Sequence, residues 1–538
     1  MKKMWTTKTL SCMAALLAVT MVTACSKNGT ESSSVPAKEE QKPKLTKLTY
    51  FSLLDNNIAA SVKSVGETEV AKELEKRTGV KVEYQHPPAG GGPQIKQQFN
   101  LMVASNSFTD VIEYSFTKDY EGGPDKAISD GVIIDLKPML EKYAPNYWKI
   151  LKENPSVMKQ VTTDGGKIYS INKLNMDPNQ LTFYGPGIRK DWLDKLGLQA
   201  PTTIDEWYTV LKAFKEKDPN GNGKADEIPF SFFMSDLESS SLFLGAYGIP
   251  MKFYQEDNKV KYGMLQPQFK EFLTQMSKWY KEGLIDPEFA VNDRKMFDAK
   301  MTGDRTGSSV YLLGGGIGKF NTLMRQTNPK FNLVGVPLPT LKQGDKPLYG
   351  HRASEVGPGA SISTSNKNPE ETLKWLDYRY SPEGSLLFNF GIEGESYKMV
   401  NGYPTFTDLV MKNPQGLTVA GALGKYASIA ESPRLSDQRF FEQYSLPAQE
   451  QKDAIKLWSA PSNKNQMPPN LSPSLEDSAK YATIMSDVNT YTQEMITKFI
   501  MGAEPMENYD NFIKKLKSIG AEDAVKIMQS ALDRFNKR

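Results

Sequence analysis

The sequence is short of cysteine, with only Cys12 and Cys25 among its 538 residues. Cys12 lies within an N-terminal apolar run that has the features of a cleaved leader, so the mature chain would keep Cys25 alone. A single cysteine forms no internal disulfide. A disulfide-stapled secreted enzyme is therefore excluded, and so is an enzyme with a cysteine nucleophile.

Histidine is equally scarce, since the chain has only His86 and His351. Two histidines cannot build a histidine-rich zinc site, and neither lies near a nucleophile-elbow sequence. A catalytic pair of carboxylates stays open, because 63 acidic residues allow many pairings whose distances the sequence does not reveal. We interpret the chain as a protein that is not an enzyme. The alternative is a surface polysaccharide hydrolase or lyase.

The chain also lacks a charge excess once its N-terminus is set aside. Residues 1–24 hold three lysines and no acid, and removing these from the 66 basic residues leaves 63, equal to the 63 acidic ones. This balance gives no argument for binding nucleic acid or an anionic membrane surface. After the leader, no apolar run is long enough to cross a membrane.

The N-terminus has the pattern of a lipoprotein export signal. It begins with the positive stretch "MKKMWTTK", continues with the short apolar run "TLSCMAALLAVTMV" and ends in "VTAC", which resembles a bacterial lipobox. Residues 1–24 are the predicted signal peptide, and Cys25 is the predicted site of diacylglyceryl and palmitate attachment. Residues 25–45, rich in Ser, Lys, Glu and Pro, are a predicted flexible tether. We expect the protein on the extracellular face of the cell membrane; the alternative is ordinary secretion.

Strands and helices alternate after the tether. "KLTYFSLL", "VKVEYQHP" and "DVIEYS" have strand patterns, and "TEVAKELEKRTG" and "QIKQQFNLMVAS" lie between them as helices, which predicts a largely parallel sheet. Helices are also predicted for "GIRKDWLDKLGL" and for "TIDEWYTVLKAFKEKD", where Thr203 and Glu206 form a capping box. The region from "EDSAKYATIM" onward is mostly helical. The fold class is therefore α/β with a helical C-terminal region.

The loop "DPNGNGKADEIP" has the spacing of a calcium-binding loop. Asp218, Asn220 and Asn222 occupy positions one, three and five, and Gly223 occupies the sixth, as in an EF-hand. The twelfth position is Pro229 instead of the usual bidentate glutamate, so this loop is a variant. The alternative is an Asn/Gly-rich turn that holds no metal. Because calcium is abundant outside cells, such a site would act as a structural clip.

Another glycine-rich stretch, "VYLLGGGIGKF" at residues 310–320, follows a predicted strand. It does not fit the nucleotide-binding loop, because Leu313 stands where the first glycine is required and Phe320 replaces Ser or Thr. The pattern favours close backbone approach to a ligand that is not a nucleotide.

The lipobox, the tether, "LTYFSLL…ELEKRTGVKVEY" and "FTDVIEY" together resemble the extracellular solute-binding lipoproteins of ABC importers. More narrowly, the chain resembles the long oligosaccharide-binding branch found in Gram-positive bacteria and related to alginate-binding proteins. The resemblance continues through "GPGIRKDWLDKLGLQAPTTIDEWYTVLKAFKEKDPNGNGKADEIP", "NPEETLKWLDYRYSPEG" and "GIEGESY", and so covers essentially the whole mature chain. It implies a two-lobe, periplasmic-binding-protein-like fold of type II, whose lobes are joined by crossing hinge segments.

The resemblance also implies a domain division and a function. The N-terminal lobe would comprise residues 46–175 plus 346–395, and the C-terminal lobe residues 176–345 plus 396–538 with the calcium loop at 218–227. A monomer would capture an oligosaccharide between the lobes and deliver it to ABC permease subunits. The alternative is a glycan-sensing or adhesion lipoprotein without transport. The structural calcium ion would be bound by Asp218, Asn220, Asn222, Lys224 through its carbonyl, Asp226 and Glu227.

Ligands of open α/β sheets bind beyond the carboxyl ends of the strands. This rule points to strand ends and crossover segments as places where the cleft would be lined. Each such residue could instead stabilise its own lobe. The ligand-binding candidates are Glu113, Tyr114, Tyr184, Arg189, Tyr311, Gly315, His351, Arg352, Glu395 and Tyr397.

Overall fold

The computed structural model describes residues 44–59, 61–87, 92–427 and 432–538. The predicted signal peptide, Cys25 and all but two residues of the predicted tether lie outside these ranges. Leu45–Arg538 form one compact unit. Within the described ranges, no helix combines the length and the apolar character that a membrane span requires.

The strands are named in chain order, and their bounds are β1 (Lys47–Phe51), β2 (Lys81–Gln85), β3 (Val111–Glu113), β4 (Ile171–Leu174), β5 (Tyr184–Arg189), β6 (Ile228–Phe230), β7 (Phe253–Glu256), β8 (Lys259–Tyr262), β9 (Thr306–Leu312), β10 (Leu333–Gly335), β11 (Val356–Ile362), β12 (Tyr397–Val400) and β13 (Tyr403–Phe406).

The α-helices are named in the same way, with the bounds α1 (Asn56–Ala59), α2 (Glu69–Thr78), α3 (Gly92–Ala104), α4 (Phe116–Asp119), α5 (Gly123–Ser129), α6 (Lys137–Tyr143), α7 (Pro145–Glu153), α8 (Pro155–Val161), α9 (Lys190–Leu196), α10 (Ile204–Glu216), α11 (Met234–Ser240), α12 (Gln268–Lys281), α13 (Arg294–Thr302), α14 (Lys319–Met324), α15 (Pro369–Asp377), α16 (Pro382–Phe390), α17 (Asp408–Met411), α18 (Val419–Tyr426), α19 (Gln438–Ser445), α20 (Gln449–Trp458), α21 (Leu475–Met501), α22 (Tyr509–Ile519) and α23 (Ala521–Lys537).

The first lobe is built on a sheet with the strand order β2-β1-β3-β11-β4. Strand β1 pairs in parallel with β2 and β3, whereas β11 runs antiparallel to β3 and β4. Helix α2 connects β1 to β2 and ends at Gly79, whose φ of 71° suits glycine at a helix C-terminus. The predicted order of the first three strands and their two helices is confirmed.

The second lobe is built on a sheet with the order β10-β5-β9-β6. Strand β6 runs parallel to β9, and β5 runs antiparallel to its neighbours β9 and β10. The predicted helix at 187–198 begins only at Lys190, because Gly187, Ile188 and Arg189 continue β5. Two hairpins, β7–β8 and β12–β13, lie outside both sheets.

Local sequence determines where helix α10 of the second lobe begins and which of its faces is buried. The Thr203 hydroxyl accepts from the backbone N–H of Glu206, and the Glu206 carboxylate accepts from the backbone N–H of Thr203, so the predicted capping box is present. On the inner face, Trp207 is fully buried and packs edge-on to Phe243, whose ring centroid lies 5.3 Å away. The same core includes residues of α12, α21 and α22, so the C-terminal helical region belongs to the second lobe.

Residues 397–427 pack on the first lobe instead. Helix α18 contacts α1 and α2. A Cβ built on Gly424 of α18 would lie 3.1 Å from the Asn57 carbonyl oxygen, so the two helices approach closely. The packing favours assigning this segment to the first lobe, although the sequence pattern grouped it with the second. The remaining lobe bounds stay a prediction.

Hydrogen-bonded segments cross between the lobes. The Leu174 N–H donates to the Arg434 carbonyl, and the Ser436 N–H donates back to the Leu174 carbonyl. The Ala353 N–H donates to the Leu181 carbonyl in the same region. The two lobes are thus joined by crossing segments, as predicted, and these segments form the floor between them.

Candidate functional site

A cleft of about 1340 Å³ lies between the two lobes. It opens beyond the carboxyl ends of β4 and β9, where ligands of α/β sheets usually bind. Asp55 and Asn57 line it from the first lobe, and residues 312–326 line it from the second. The crossing segments contribute its floor, with Lys173, Asn175, Gln180, Ala353, Ser354, Gly357, Arg434 and Ser436.

Aromatic side chains on helix α19 form one wall of this cleft. Phe440, Phe441 and Tyr444 line it, and none of the residues of α19 is fully buried. Tyr444 is 36% exposed, and its ring centroid lies 5.6 Å from that of Phe440. Burial and the negative charge of Asp55 raise the pKa of the Tyr444 hydroxyl, which therefore stays protonated as a donor. Flat aromatic faces of this kind pack against the apolar face of a ring-shaped ligand.

The glycine-rich segment lies beside this wall, since a Cβ built on Gly314 would lie 4.0 Å from the Tyr444 carbonyl oxygen. Leu313–Gly318 forms a π-helical turn directly after β9. A Cβ built on Gly315 would meet only Leu312, at 3.6 Å, whereas one on Gly318 would lie 2.5 Å from the Gln451 side-chain nitrogen. Because glycine has no side chain, the backbone of this turn stays accessible at Gly315, and Gln451 can pack closely against Gly318.

Gln180 is the unusual polar residue of the cleft floor. It is 8% exposed, and neither its side-chain oxygen nor its side-chain nitrogen has a hydrogen-bond partner among the described residues. A buried amide without partners is costly, so such groups call for an explanation. A ligand hydroxyl, which both donates and accepts, would satisfy the two atoms of this amide.

Another interlobe cavity, of about 1370 Å³, shares Ser354, Val356 and Gly357 with the cleft as lining residues. Its first-lobe wall carries charged side chains that pair with each other, such as Lys96 with Asp119 at 3.4 Å. The cleft with the aromatic wall and the unsatisfied Gln180 is the better candidate site for a small molecule.

Of the ten predicted ligand-binding residues, Gly315 lines the cleft and the other nine do not. Glu113 accepts a hydrogen bond of 2.6 Å from the Tyr50 hydroxyl, inside the first lobe. Tyr114 packs on Phe99 with ring centroids 4.4 Å apart. Glu395 lies near the hairpin β12–β13, and Tyr397 belongs to a core cluster there. The side chains of Glu113, Tyr114 and Tyr397 therefore stabilise the fold of the first lobe, whereas the Glu395 side chain is exposed.

The second-lobe candidates are also engaged within their lobe. Arg189 is 1% exposed and forms ion pairs with Asp191 at 2.7 Å and Asp304 at 2.5 Å. Tyr311 is 2% exposed and donates to the Met301 sulfur. The rule selected Arg189 and Tyr311 because they lie near the ends of strands. Both side chains are buried and bonded to partners within the second lobe, so they do not reach the cleft.

The candidates near the crossing segments form a cluster beside the cleft. Tyr184 donates to Asp236, and burial raises the pKa of this carboxyl to about 6. The His351 ring lies edge-on to Phe183 at 4.4 Å, and burial with Lys252 nearby lowers the His351 pKa to about 4. Arg352, also predicted, pairs instead with Glu355 at 2.8 Å.

Sequence reasoning missed the aromatic wall and Gln180. The available signal for the wall was the spacing in "QRFFEQYS", where aromatic residues three and four positions apart share one helix face. Such spacing is more typical of core packing. Gln180 has no local signal, because only its burial without partners distinguishes it.

The predicted calcium loop is a tight turn rich in oxygen atoms. Asp218 accepts from the backbone N–H groups of Gly221, Asn222 and Gly223 at 2.9 to 3.1 Å. Asp226 accepts from the Asn222 side-chain amide at 3.0 Å. In the described part of the chain, no group of three or more His, Cys, Asp or Glu side chains is arranged to hold a metal. Half of the predicted ligand set consists instead of the Asn220 and Asn222 side-chain oxygens and the Lys224 carbonyl oxygen.

Glu227 provides a test of whether a cation fits this loop. It is 4% exposed, and its Oε1 atom has no partner among the described residues. Burial raises the pKa of the Glu227 carboxyl, and the negative charges of Asp218 and Asp226 raise it further. A buried carboxylate oxygen that lacks a partner, near the negative charges of two other carboxylates, fits a hard divalent cation, which would offset two of the three charges.

Two α/β lobes joined by crossing segments around a cleft are the architecture of solute-binding proteins. The chain matches the model of the bacterial extracellular solute-binding proteins over residues 61–385, and it belongs to that family. It is 28% identical to the fructooligosaccharide ABC transporter substrate-binding protein FusA of Streptococcus pneumoniae, over 98% of each chain. It is 27% identical to lipoprotein LipO of Bacillus subtilis, over 77% of this chain and 76% of LipO.

Solved structures show the same fold. The alginate-binding protein AlgQ2 without calcium ion superposes with a TM-score of 0.72 at 28% identity, covering 91% of this chain and 99% of AlgQ2. An EF-hand mutant of S. pneumoniae FusA in complex with fructo-nystose superposes with a TM-score of 0.70 at 25% identity, with the same coverage of both chains.

Proposed function

We propose that this chain binds an oligosaccharide in the cleft between its lobes and delivers it to the permease of an ABC importer. The observation that carries this proposal is the pairing of an aromatic wall, Phe440 and Tyr444, with the unsatisfied amide of Gln180 on the floor. An oligosaccharide offers apolar ring faces to the first and hydroxyl groups to the second. FusA, which is similar over nearly the full length, is named for fructooligosaccharide transport.

Isothermal titration of the soluble form starting at Ser26 against a panel of oligosaccharides tests this function. One saccharide should bind with a 1:1 stoichiometry and be recovered unchanged, since we propose a binding protein without catalysis. Degradation of the saccharide would support the hydrolase or lyase alternative. Binding that persists while deletion of the gene leaves uptake of the same saccharide intact would support the sensing or adhesion alternative.

Variants of the cleft sharpen this test. Replacing Tyr444 with alanine should raise the Kd about fivefold, because an aromatic contact is worth roughly 1 kcal/mol. Gln180→Ala should also weaken binding, since the hydrogen bonds of the amide are lost. Tyr143→Ala is the matched control, because Tyr143 is a half-buried aromatic residue on α6 that does not line the cleft. If the control weakens binding as much, the ligand does not occupy this cleft.

We further propose that Cys25 anchors the protein to the extracellular face of the membrane, after removal of residues 1–24 and with residues 25–45 as the tether. The spacing of the lipobox and the likeness to a protein named lipoprotein LipO support this. Cys25→Ala should release the protein into the medium, whereas wild type should partition into the detergent phase of a Triton X-114 extract. Wild type in the aqueous phase would refute the anchor.

The loop at residues 218–227 is our proposed structural calcium site. The ligands would be the side chains of Asp218, Asn220, Asn222, Asp226 and Glu227 with the carbonyl of Lys224. The unsatisfied Glu227 oxygen supports this, as do two solved relatives, AlgQ2 without calcium ion and the EF-hand mutant of FusA. The bound ion would neutralise the carboxylates and fasten the loop to the second lobe, and it would contact no cargo. We also keep the proposal that the protein is a monomer.

A further inference from the structure

The charged side chains that line the cleft determine whether it can bind an anionic or an uncharged saccharide. An acidic sugar such as a uronate needs a cationic side chain whose own charge is not already compensated. The basic residues that line the cleft are Lys173, Lys319, Arg325 and Arg434.

These cationic side chains already have partners. The Lys319 ammonium lies 2.5 Å from an Asp298 oxygen, and the Arg325 guanidinium lies 2.6 Å from a Glu450 oxygen. Lys173 and Arg434 are engaged in other interactions as well, and Arg434 is only 3% exposed. A carboxylate on the cargo would have to displace one of these partners.

Acidic groups in the cleft oppose an anionic cargo further. Asp437 is paired with Arg439 at 2.6 Å, whereas within the described ranges the Asp55 carboxylate accepts hydrogen bonds only from the neutral Asn57, at 2.8 and 3.0 Å. Asp55 is near enough to Tyr444 to help raise its pKa, after burial, so its charge acts at the aromatic wall. The internal residues outside the described ranges, 60, 88–91 and 428–431, include no lysine or arginine and so add no cation.

We propose that the cleft selects uncharged oligosaccharides and rejects uronic-acid oligosaccharides, a specificity that rests on the proposed function. Gln180 has the chemistry for a neutral cargo, because its amide offers one acceptor and two donors of no net charge. Hydroxyl groups match this pattern, whereas a carboxylate would face the amide oxygen with another acceptor. Asp55 is the residue that most directly disfavours the acidic cargo.

The test compares cargos that differ only in charge. Oligogalacturonates and their carboxyl-reduced, neutral counterparts are titrated into the mature protein, beside fructooligosaccharides. A neutral saccharide should bind at least about ten times more tightly than any uronate, and its Kd should change less than about twofold between about 20 mM and about 500 mM NaCl. Uronate binding that salt weakens strongly would indicate attraction to an uncompensated cation and would contradict the proposed selectivity.

A variant tests the compensation of charge directly. Glu450→Gln removes the partner of Arg325 and leaves its positive charge exposed to the cleft, so uronate affinity should rise at least about fivefold. Glu450→Asp keeps the charge and should show no such gain. A uronate that binds wild type more tightly than every neutral saccharide would overturn the selectivity and leave the proposed function standing. If no saccharide of either kind binds, the proposed function fails and the selectivity fails with it.

Discussion

Because the Glu227 carboxylate is buried, we expect Glu227→Gln to change the stability of the protein in opposite directions without and with calcium. Glu227 is 4% exposed, its Oε1 atom has no protein partner among the described residues, and it lies near the charges of Asp218 and Asp226. Glu227→Gln removes a charge that is unfavourable there, so the calcium-free protein should become more stable. With calcium bound, the same substitution removes a ligand charge and should reduce stability.

The magnitude follows from linkage between binding and folding. For a dissociation constant of about 10 µM, a calcium concentration of about 1 mM is a hundredfold excess and contributes about 2.7 kcal/mol. In a lobe of this size, that corresponds to a rise in Tm of about 5 °C or somewhat more. Most of this gain should vanish in Glu227→Gln, because the ion loses the only ligand whose oxygen is buried and unsatisfied.

Differential scanning calorimetry with calcium or with chelator measures both effects. Glu216→Gln is the control, because Glu216 is exposed at the end of the neighbouring helix α10 and should show no calcium-dependent difference from wild type. The pH dependence gives a check of sign. The pKa of Glu227 is raised in the folded state, so its contribution favours folding at low pH and falls as pH rises through that pKa, in chelator only. A wild-type Tm that is the same with calcium and with chelator would refute the reasoning.

Two further substitutions test contacts of the fold. Asp164 pairs with Arg534 at 2.7 Å and with Arg538 at 2.7 Å, and these guanidinium groups lower its pKa. Asp164→Asn should lower the free energy of unfolding by about 1 kcal/mol at neutral pH. Because the pKa of Asp164 is lowered in the folded state, wild type should lose this extra stability as the pH falls through that pKa. If wild type and Asp164→Asn lose the same stability on acidification, the pairing is contradicted. Gly185→Ala would place a Cβ 2.5 Å from the Trp458 ring, so unfolding free energy should fall by about 1 to 3 kcal/mol, as denaturant titration would show; unchanged stability would contradict this close packing.

The structure also separates the features that follow from local sequence from those that do not. The capping box of Thr203 and Glu206 and the stop at Gly79 depend on neighbours within a few residues, and both were predictable. The spacing of Asp218, Asn220 and Asn222 is also a local feature, and it was sufficient to predict the calcium loop. The arguments against internal disulfides, a cysteine nucleophile and a histidine-rich zinc site needed only the residue counts and the predicted leader.

The residues that line the cleft could not be predicted from local sequence. Gln180 lies on one crossing segment, the turn at 313–318 follows a strand of the second lobe, and helix α19 comes more than a hundred residues later. No local pattern joins them. Strand ends such as Arg189 looked like ligand contacts, yet their charges are paired inside a lobe, where an unpaired charge would be costly.

The sequence by itself therefore determined the α/β class, the helical C-terminal region and the loop suited to calcium, because strand and helix periods, caps and ligand spacing are local. Only the tertiary structure decided which aromatic residues face the cleft, which amide is left unsatisfied and which cations are already paired. Each of these depends on burial and on partners that are distant in the chain. Without residues 1–24 the chain is formally neutral, with 63 basic and 63 acidic residues, but the proposed selectivity rests on the ion pairs of Lys319 and Arg325, which composition does not reveal.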